Sequence, residues 1–336
     1  MILMCQNAAV YDIDTDRVIC EKLLPGLMRH DKAESKKRTF GMWQRLRYCS
    51  STNTIARHIR GISFGQGNRA RIDKATRALS LCDSYWLKDE SDNIKFEDIS
   101  PYCTSFWNGD GAYNKESIPT LYVGGHINKE WTRQLKLNKY GKETQIEYEC
   151  YELCKLVGVE CAEIEKIYDT KHGIGIAVSN ITNTDMFLEQ ADMSGMIDPE
   201  NVTNADIIKL FGLSGLKMMT VDAIVGNTDR HAGNIGWLRD AKTGEYLKQA
   251  PLYDFDHALD AKGTSDILID DFVETVHSVC KEYREEVNRI LMDVSNSDLN
   301  TIFVVRAKEI IKRLGLGSFQ SIKARCADID AQGCGL

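Results

Sequence analysis

Apolar residues recur at helical spacing in ETQIEYECYELCKLVG, a stretch near the middle of the chain. The recurring positions are Ile146, Cys150, Leu153, Cys154 and Val157. They predict an amphipathic helix that ends at Gly158. Strand-like segments lie on either side of it: PTLYVGG, RQLKLNKY and KHGIGIAVSN. Residues 116–190 are therefore predicted to form a small mixed lobe of strands with one helix.

The pattern becomes mainly helical from about Asn204 onward. ADIIKLFGLSGLKMMTVDAIVGN predicts one long apolar helix. Two amphipathic stretches come later, TVHSVCKEYREEVNRILMDV and LNTIFVVRAKEIIKRLG. We therefore expect residues 191–336 to form a mainly helical lobe.

The first part of the chain combines strand and helix patterns. AAVYDID and RVICEKLL predict a strand pair, and FGMWQRLR and NTIARHIR predict basic helices. ATRALSLCDSYWLK has the residues of a core segment, in which we expect Trp86 to pack rather than to bind a ligand. Residues 1–115 are predicted to form an N-terminal accessory region.

Composition indicates a globular protein. The 336 residues suffice for two domains, and 43% of them are apolar, enough for packed cores. No apolar run approaches the roughly 20 residues that a membrane-spanning helix needs. The start, MILMCQNAAVYDIDTD, turns acidic too early for a secretory signal. Eleven scattered cysteines without a CxxC pair favour reduced thiols over disulfides or a zinc site. The expected location is the cytoplasm.

The net charge of -7 conceals a basic segment. Residues 29–74 hold twelve lysines or arginines against three acidic residues, a local charge of +9. Such a segment could bind nucleic acid, an acidic partner or an acidic face of its own chain. An ordinary solvated surface is the alternative, because no zinc-finger or RNA-binding motif accompanies the charge.

The stretch GNTDRHAGNIG, residues 226–236, contains the spacing D-x-x-x-x-N in Asp229 and Asn234. Phosphoryl transfer needs a carboxylate near the attacking hydroxyl and oxygen ligands for magnesium, and kinases place such a pair in one loop. A polar turn is the alternative interpretation. The context favours a site, since the motif follows a long apolar helix and precedes the strand-like GNIGWL.

A second acidic motif, APLYDFDHAL, follows twenty residues later. A strand at IGWL, a turn at RDAKTGE and a return strand at YLKQAPLYDF would bring Asp254 back beside Asn234. The two motifs together predict a paired catalytic and metal-binding site.

A phosphate-binding lysine held by a helical glutamate would complete this site. LKLNKYGKETQIEYE offers Lys136 or Lys139, with Glu147 or Glu149 as the partner. Upstream, GGHINKEW has adjacent glycines whose amides could approach phosphate, although a hairpin turn is an equal interpretation. For His231 we favour a structural or phosphate-facing role over that of a base.

These residues resemble a known family. GNTDRHAGNIG followed by LYDFDHAL looks like the catalytic and metal-binding loops of the HipA-like serine/threonine kinases. ALSLCDSYWLK, FEDIS and KYGKETQIEYECYELCKLVGV are similar to stretches of the shorter, CtkA-related group. The resemblance covers most of the chain from about Phe40. It implies an α+β, two-lobed protein-kinase-like fold with a small mixed N-lobe, a mainly helical C-lobe and an N-terminal accessory region.

The resemblance also implies roles for individual residues. Asp229 would be the catalytic aspartate, and Asn234 and Asp254 would hold Mg²⁺. Lys139 would bind the nucleotide, supported by Glu147. The remaining ATP-binding positions would be the phosphate loop with Gly124, Gly125 and Lys129, the hinge at Ser179, and His231 facing phosphate. GGHINKEW departs from the sequence that the family usually has in that loop. Asp256 would be either a further metal ligand or a local polar residue.

The implied activity is ATP- and magnesium-dependent transfer of a phosphoryl group to a serine or threonine, on a protein or on the chain itself. Phosphatidylinositol kinases also carry a DRHxxN loop, so a lipid or small molecule is an alternative acceptor. A weakly catalytic nucleotide sensor that binds DNA or a partner protein is the third interpretation. The family includes toxins paired with DNA-binding antitoxins, which makes an antitoxin-like partner an expectation. Nucleic acid would bind only through residues 29–74 or through that partner.

Overall fold

The computed structural model describes residues 1–47, 77–100, 102, 128–132, 135–255, 257–259 and 265–316. They form two compact units. The first contains Met1–Tyr148, Cys161–Val202 and Arg230–Tyr253, and the second contains Glu149–Glu160, Thr203–Asp229 and Asp254–Leu336. The predicted division at residues 115 and 190 stays a prediction. None of the helices in the described ranges is both long and apolar enough to span a membrane.

Within its described residues, the first unit contains three antiparallel sheets. Their strands are β1 (Ile2–Cys5), β2 (Ala8–Asp12), β3 (Arg17–Val18), β4 (Tyr85–Lys88), β5 (Asn128–Trp131), β6 (Lys136–Tyr140), β7 (Ile164–Asp169), β8 (Gly173–Ser179), β9 (Met186–Gln190), β10 (Gly236–Asp240) and β11 (Tyr246–Gln249). The sheet orders are β3-β2-β1-β4, β5-β6-β8-β7 and β11-β10-β9. The predicted strand pair near the start is confirmed as β2 and β3, while β1, which pairs with both β2 and β4, lies outside the predicted strands.

Short helices accompany these sheets. They are α1 (Gly26–Arg29), α2 (Lys37–Arg47) and α3 (Phe96–Ile99), with 3₁₀ turns at Glu21–Leu23, Ala191–Met193 and Ala232–Asn234. The helix predicted at FGMWQRLR is confirmed as α2, and the one predicted at NTIARHIR lies outside the described residues. Trp86 packs in a core and is fully buried, as predicted.

A row of aromatic rings connects the first sheet to β9. Neighbouring ring centroids lie 5.3 to 5.8 Å apart along the series Tyr11, Phe40, Trp43, Tyr85 and Phe187. Offset and edge-to-face contacts at this spacing stabilise a core beyond the burial of their area. Because Phe187 belongs to β9, the N-terminal strands and the third sheet share one hydrophobic core.

A buried ion pair reinforces that junction. Arg239 of β10 is fully buried, and its Nη1 donates to Glu189 Oε2 at 2.7 Å. The same guanidinium donates to the carbonyls of Lys22, Leu24 and Gly244. A buried charge needs such complete pairing, because taking it out of water costs several kcal/mol. The planar fork of arginine satisfies three carbonyls and a carboxylate at once.

Within the described residues, six further helices follow the sequence patterns with two differences. They are α4 (Glu143–Val157), α5 (Asn204–Phe211), α6 (Leu213–Val225), α7 (Ser265–Ser278), α8 (Lys281–Ser295) and α9 (Thr301–Arg313), of which α5 to α9 belong wholly to the second unit. The helix predicted to end at Gly158 is confirmed as α4, and Gly158 has the left-handed φ of +69°. Helix α6 is buried over almost its whole surface, which fits its apolar sequence.

The single long helix predicted after Asn204 is wrong. It divides at Gly212, whose φ of +56° and ψ of −131° favour glycine. The stretch beginning at Thr275 also divides: it is the end of α7 and all of α8, with Cys280 extended between them. Apolar periodicity continues across both breaks, so the pattern alone does not reveal them.

Candidate functional site

Lys139 and Glu147 form a buried ion pair in the first unit. Lys139 Nζ lies 2.7 Å from Glu147 Oε1 and 2.9 Å from Oε2. The lysine is 3% exposed and the glutamate 1%. Strand β6 presents the lysine and helix α4 presents the glutamate. Gly175 lets β8 pack closely against β6 beside Lys139, since a Cβ there would lie 2.3 Å from the main-chain oxygen of Lys139.

The other lysine and glutamate that the sequence left open have different partners. Lys136 pairs with Glu165 on the surface at 2.7 Å, with 29% and 63% of their side chains exposed. Glu149, in the second unit, accepts a hydrogen bond from Asn300 at 2.5 Å. The structure therefore joins Lys139 with Glu147, the pair that the family resemblance selects.

The predicted nucleotide loop is described only in part. Gly124 and Gly125 lie outside the described residues, while Lys129 lies on β5 with Lys139 as its register partner. Ser179 ends β8, pairs in register with Lys136 and donates its main-chain N–H to Glu163. The nucleotide contacts of these positions stay predictions.

The loop that carries Asn234 is a tight 3₁₀ turn in the first unit. His231 Nδ1 accepts the Gly233 N–H at 3.0 Å, and the Asn234 N–H donates to the His231 carbonyl at 2.9 Å. His231 thus braces the turn, and its predicted structural or phosphate-facing role stays a prediction.

Two side chains from elsewhere in the unit hold the Gly233 carbonyl. Tyr253 donates its hydroxyl to it at 2.9 Å, and Gln190 Nε2 donates to the same oxygen. Burial raises the pKa of the Tyr253 phenol, so the hydroxyl remains a donor. Asn234 itself is 7% exposed. These bonds place its side chain on a rigid turn.

Arg230 links the two ends of this region. Its Nη1 donates to the Asn234 carbonyl at 3.1 Å and to the Tyr253 carbonyl at 2.8 Å. The predicted hairpin from β10 to β11 returns the chain to this point and is confirmed, with Trp237 opposite Gln249. Its return strand ends at Gln249, earlier than predicted, because Leu252 instead bridges to Cys161.

Asp192 is a further acidic group near the turn. One of its oxygens would lie 3.5 Å from a Cβ at Gly233, and burial raises the pKa of its carboxyl, while the nearby His231 lowers it. Within the described residues, Asp192 Oδ1 is buried without a hydrogen-bond partner. This carboxyl was not among the residues singled out in the sequence.

The second unit holds Asp229 at the end of α6. The Asp229 N–H donates to Asn227 Oδ1 at 3.1 Å, and Asn227 Nδ2 donates to Asp222 at 2.9 Å. The segment after Asp254 returns to the same helix end, where the Leu259 N–H donates to the Val225 carbonyl at 3.0 Å. Asp229 and Asp254 therefore belong to one unit, and the segments that carry them are both hydrogen-bonded to the C-terminal end of α6.

Asp254 adopts a left-handed backbone conformation with φ of +60°. Aspartate tolerates this region better than most residues, and such conformations concentrate at functional sites. Asp256 lies outside the described residues, so its two alternative roles stay as they were.

The donor set suits magnesium. Asn234 offers an amide oxygen and Asp254 a carboxylate, and Mg²⁺ is bound by few protein oxygens together with substrate phosphates and water. Thiolates and imidazoles, which favour zinc, are not part of the proposed set. The residues present fit magnesium by chemistry.

Several residues that position the site were not singled out from the sequence. Asn227 directly follows Gly226 at the helix end, a turn-forming residue that could have been noticed. Arg230 was visible inside the motif, but its bond to Tyr253 spans 23 residues and has no local signal. Gly175 has no local signal either, because its close contact is with the main chain of the neighbouring strand β6.

Comparison with known proteins is informative at the level of the fold. No family model matches the chain, and none of the curated proteins is similar to it in sequence. Among solved structures, it is similar to HipA of Shewanella oneidensis MR-1, in the complex of the HipA and HipB toxin–antitoxin system with operator DNA. The match has a TM-score of 0.50 and 12% identity and covers 93% of this chain and 95% of HipA.

The chain is also similar to the proinflammatory kinase CtkA of Helicobacter pylori, with a TM-score of 0.40 and 16% identity over 62% of this chain and 95% of CtkA. The HipA match shows that the chain has a HipA-like fold. The α+β prediction is confirmed: the described residues combine antiparallel sheets with a helical unit.

Proposed function

We propose that this protein is an ATP- and magnesium-dependent serine/threonine kinase of the cytoplasm that also phosphorylates itself. The buried pair of Lys139 and Glu147 is the observation that carries the proposal. A buried ion pair is a weak source of stability, because the desolvation of its charges offsets their attraction. A strand lysine kept in place by a helical glutamate, in a kinase-like fold, is the arrangement that binds nucleotide phosphates.

The loop residues have complementary roles in the proposed reaction. The acceptor hydroxyl oxygen attacks the γ-phosphorus of ATP, and the bond from that phosphorus to the β–γ bridging oxygen breaks. ADP leaves with the bond electrons, and Asp229 accepts the hydroxyl proton. Lys139 neutralises phosphate charge. Positioning and charge neutralisation contribute most of the acceleration in phosphoryl transfer, because the protein forms no covalent bond itself.

Asn234 and Asp254 would hold magnesium, which neutralises charge on the transferring phosphoryl group. The anchors described above support both assignments. Arg230 directly follows Asp229 in the chain, Tyr253 directly precedes Asp254, and Arg230 donates to the Tyr253 carbonyl. The proposed ATP contacts of Gly124, Gly125, Lys129, Ser179 and His231 belong to the same hypothesis.

A partner protein is part of the proposal as well. HipA of Shewanella oneidensis is in a complex with HipB and operator DNA. An antitoxin-like partner would explain the basic segment 29–74 as a surface for that protein or for its DNA. Copurification of the full chain with a DNA-binding protein, lost at high salt, would support it.

The test is transfer from γ-labelled ATP with magnesium by the wild type, Asp229→Ala and Asp254→Asn. We expect label on protein with the wild type and none with either variant, while all three retain binding of a nucleotide analogue. The Lys136→Met variant is the matched control, because Lys136 lies on the same strand in a surface pair. It should transfer label like the wild type.

Other outcomes contradict the proposal in distinct ways. Label on phosphatidylinositol but never on protein would show a lipid kinase. Nucleotide binding without transfer to any acceptor would indicate a sensor. Equal transfer by all the proteins would show that Asp229 and Asp254 have no part in the reaction.

A further inference from the structure

We propose that Asn227 is a positioning residue that orients Asp229 by connecting it to Asp222 inside helix α6. The inference rests on the proposed kinase function and assigns a role to a side chain that does not touch substrate. Asp222, Asn227 and Asp229 lie in the same compact unit.

The connection is buried. Asn227 is 2% exposed and Asp222 is 5% exposed. Asn227 Nδ2 donates to Asp222 Oδ1 at 2.9 Å, and the Asn227 main-chain N–H donates to the Asp222 carbonyl at 3.0 Å. Two hydrogen bonds thus attach this one residue to the last turn of α6. A buried amide held in this way has a single orientation.

That orientation determines what faces Asp229. Because Nδ2 is directed at a carboxylate, Oδ1 is left to accept the Asp229 N–H, at 3.1 Å. The position therefore needs a donor on one side and an acceptor on the other. The amide of asparagine supplies both, whereas an ionised aspartate only accepts and alanine does neither.

The helix end that carries this connection is itself braced. Arg306 of α9 donates to the carbonyls of Ala223 and Ile224, at 2.8 and 2.9 Å in its shorter bonds. Gly226 then turns the chain with φ of +66° and ψ of +36°, the left-handed end of a helix. Arg306 and the Gly226 N–H thus satisfy the carbonyls of Asp222, Ala223 and Ile224, and they fix the helix end from which Asn227 extends.

This geometry predicts a defect in turnover rather than in nucleotide binding. A displacement of a reacting group by about 1 Å can cost on the order of 100-fold in rate. We expect Asn227→Ala to lower kcat by about 10-fold to 100-fold, with KM for ATP changed by less than about 2-fold. Asn227→Asp should be as poor, although it keeps the size of the side chain.

The kinetic test is a double-mutant cycle with Asp229→Asn, measured by single-turnover transfer of γ-labelled phosphate. If Asn227 acts through Asp229, Asn227→Ala should lower the rate of the wild type but not the residual rate of Asp229→Asn. Asn296→Ala is the matched control, since that asparagine also bonds a helix carbonyl, Met292, at the end of α8. Rates equal to the wild type for Asn227→Ala, or equal losses in both backgrounds, would overturn the inference.

Amide hydrogen exchange, measured by NMR, tests the inference without relying on turnover. The Asp229 N–H is protected by its bond to Asn227, so Asn227→Ala should accelerate its exchange by about 10-fold or more, while Asn296→Ala leaves it unchanged. Failure of the wild type to transfer phosphate would contradict the proposed function only. Unchanged exchange at Asp229 would overturn the inference whether or not the protein is a kinase.

Discussion

Arg230 Nη1 lies 2.8 Å from the main-chain oxygen of Tyr253 and donates a hydrogen bond to it. The same nitrogen donates to the carbonyl of Asn234, four residues along the loop. One guanidinium thereby joins the loop of the proposed metal ligand Asn234 to the residue that precedes the other, Asp254. Within the first unit, Arg230 therefore connects the Asn234 turn to the end of the segment that leads to Asp254.

Replacing Arg230 by methionine removes the donors but keeps most of the apolar stem. We expect the free energy of unfolding to fall by about 1 to 3 kcal/mol, because two carbonyls lose a charged donor. Phosphate transfer should fall by at least about 10-fold, because the loop that carries Asn234 is no longer held in place by Arg230. Urea denaturation and labelled transfer measure the two effects. Arg45→Met, on the exposed face of α2, should change neither, and a similar loss there would contradict the explanation.

Tyr253→Phe isolates the bond to the Gly233 carbonyl. Gln190 still donates to this oxygen, so the carbonyl is not left without a partner. The expected loss of unfolding free energy is therefore only about 0.5 to 1.5 kcal/mol. The midpoint of urea denaturation, at unchanged slope, measures it. A loss above about 3 kcal/mol would mean that the hydroxyl has a larger role than this bond.

Lys139→Met separates the stability of the buried pair from its function. The single variant leaves Glu147 charged and buried, and it should cost about 3 to 5 kcal/mol of unfolding free energy. In the double variant Lys139→Met with Glu147→Leu, most of that stability should return, because no buried charge remains. Both variants should bind ATP more weakly than the wild type, since both lack the lysine, and the second substitution should not restore the affinity. Isothermal titration with ATP and thermal unfolding test this contrast.

The surface pair supplies the control for this prediction. Lys136→Met breaks a contact that is open to solvent, which costs about 1 kcal/mol or less. Restored ATP affinity in the double variant would show that Lys139 is not the nucleotide-binding lysine.

Glu286 predicts a sensitivity to acid in the second unit. The Arg289 guanidinium, aided by Lys217, lowers the pKa of Glu286 from 4.5 to about 2. A lowered pKa stabilises the folded state above the unfolded pKa, and this stabilisation is lost as the pH falls from about 4.5 to about 2. Glu286→Gln should therefore be less stable than the wild type at pH 7 by about 1 to 2 kcal/mol, after allowance for solvent screening.

The difference between wild type and Glu286→Gln should shrink as the pH falls through that window. Urea unfolding at pH 7, 4 and 3 measures it. Glu285→Gln, on the exposed side of the same helix, should follow the wild type at each pH. A difference that stays constant with pH would show that charge on Glu286 does not stabilise the fold.

Local patterns in the sequence predicted much of the secondary structure. The apolar spacing of α4, its end at Gly158 and the hairpin of β10 and β11 are all confirmed. Such features depend on residues near one another in the chain, so their physics is readable from a short window. The break at Gly212 was missed, because an isolated glycine in an apolar pattern is also tolerated within a helix.

The residues of the candidate site divide in the same way. Spacing within a loop singles out Asp229 and Asn234, and the DFD motif singles out Asp254. Lys136 and Lys139 are three positions apart on one strand, so they point to opposite sides of the sheet. The sequence shows that one lysine faces each side, but only packing decides which side helix α4 covers.

By itself, the sequence determined most of the elements and the polar motif that follows an apolar helix, and it predicted the chemical class of that motif's ligands. The tertiary structure decided that Lys139 pairs with Glu147, that Arg230 bonds Tyr253, and that Asn227 connects Asp229 to Asp222. The first two pairings join separate elements, and the third depends on how a helix end is buried. Burial makes each of them specific, because a polar group removed from water must find its partner within the fold.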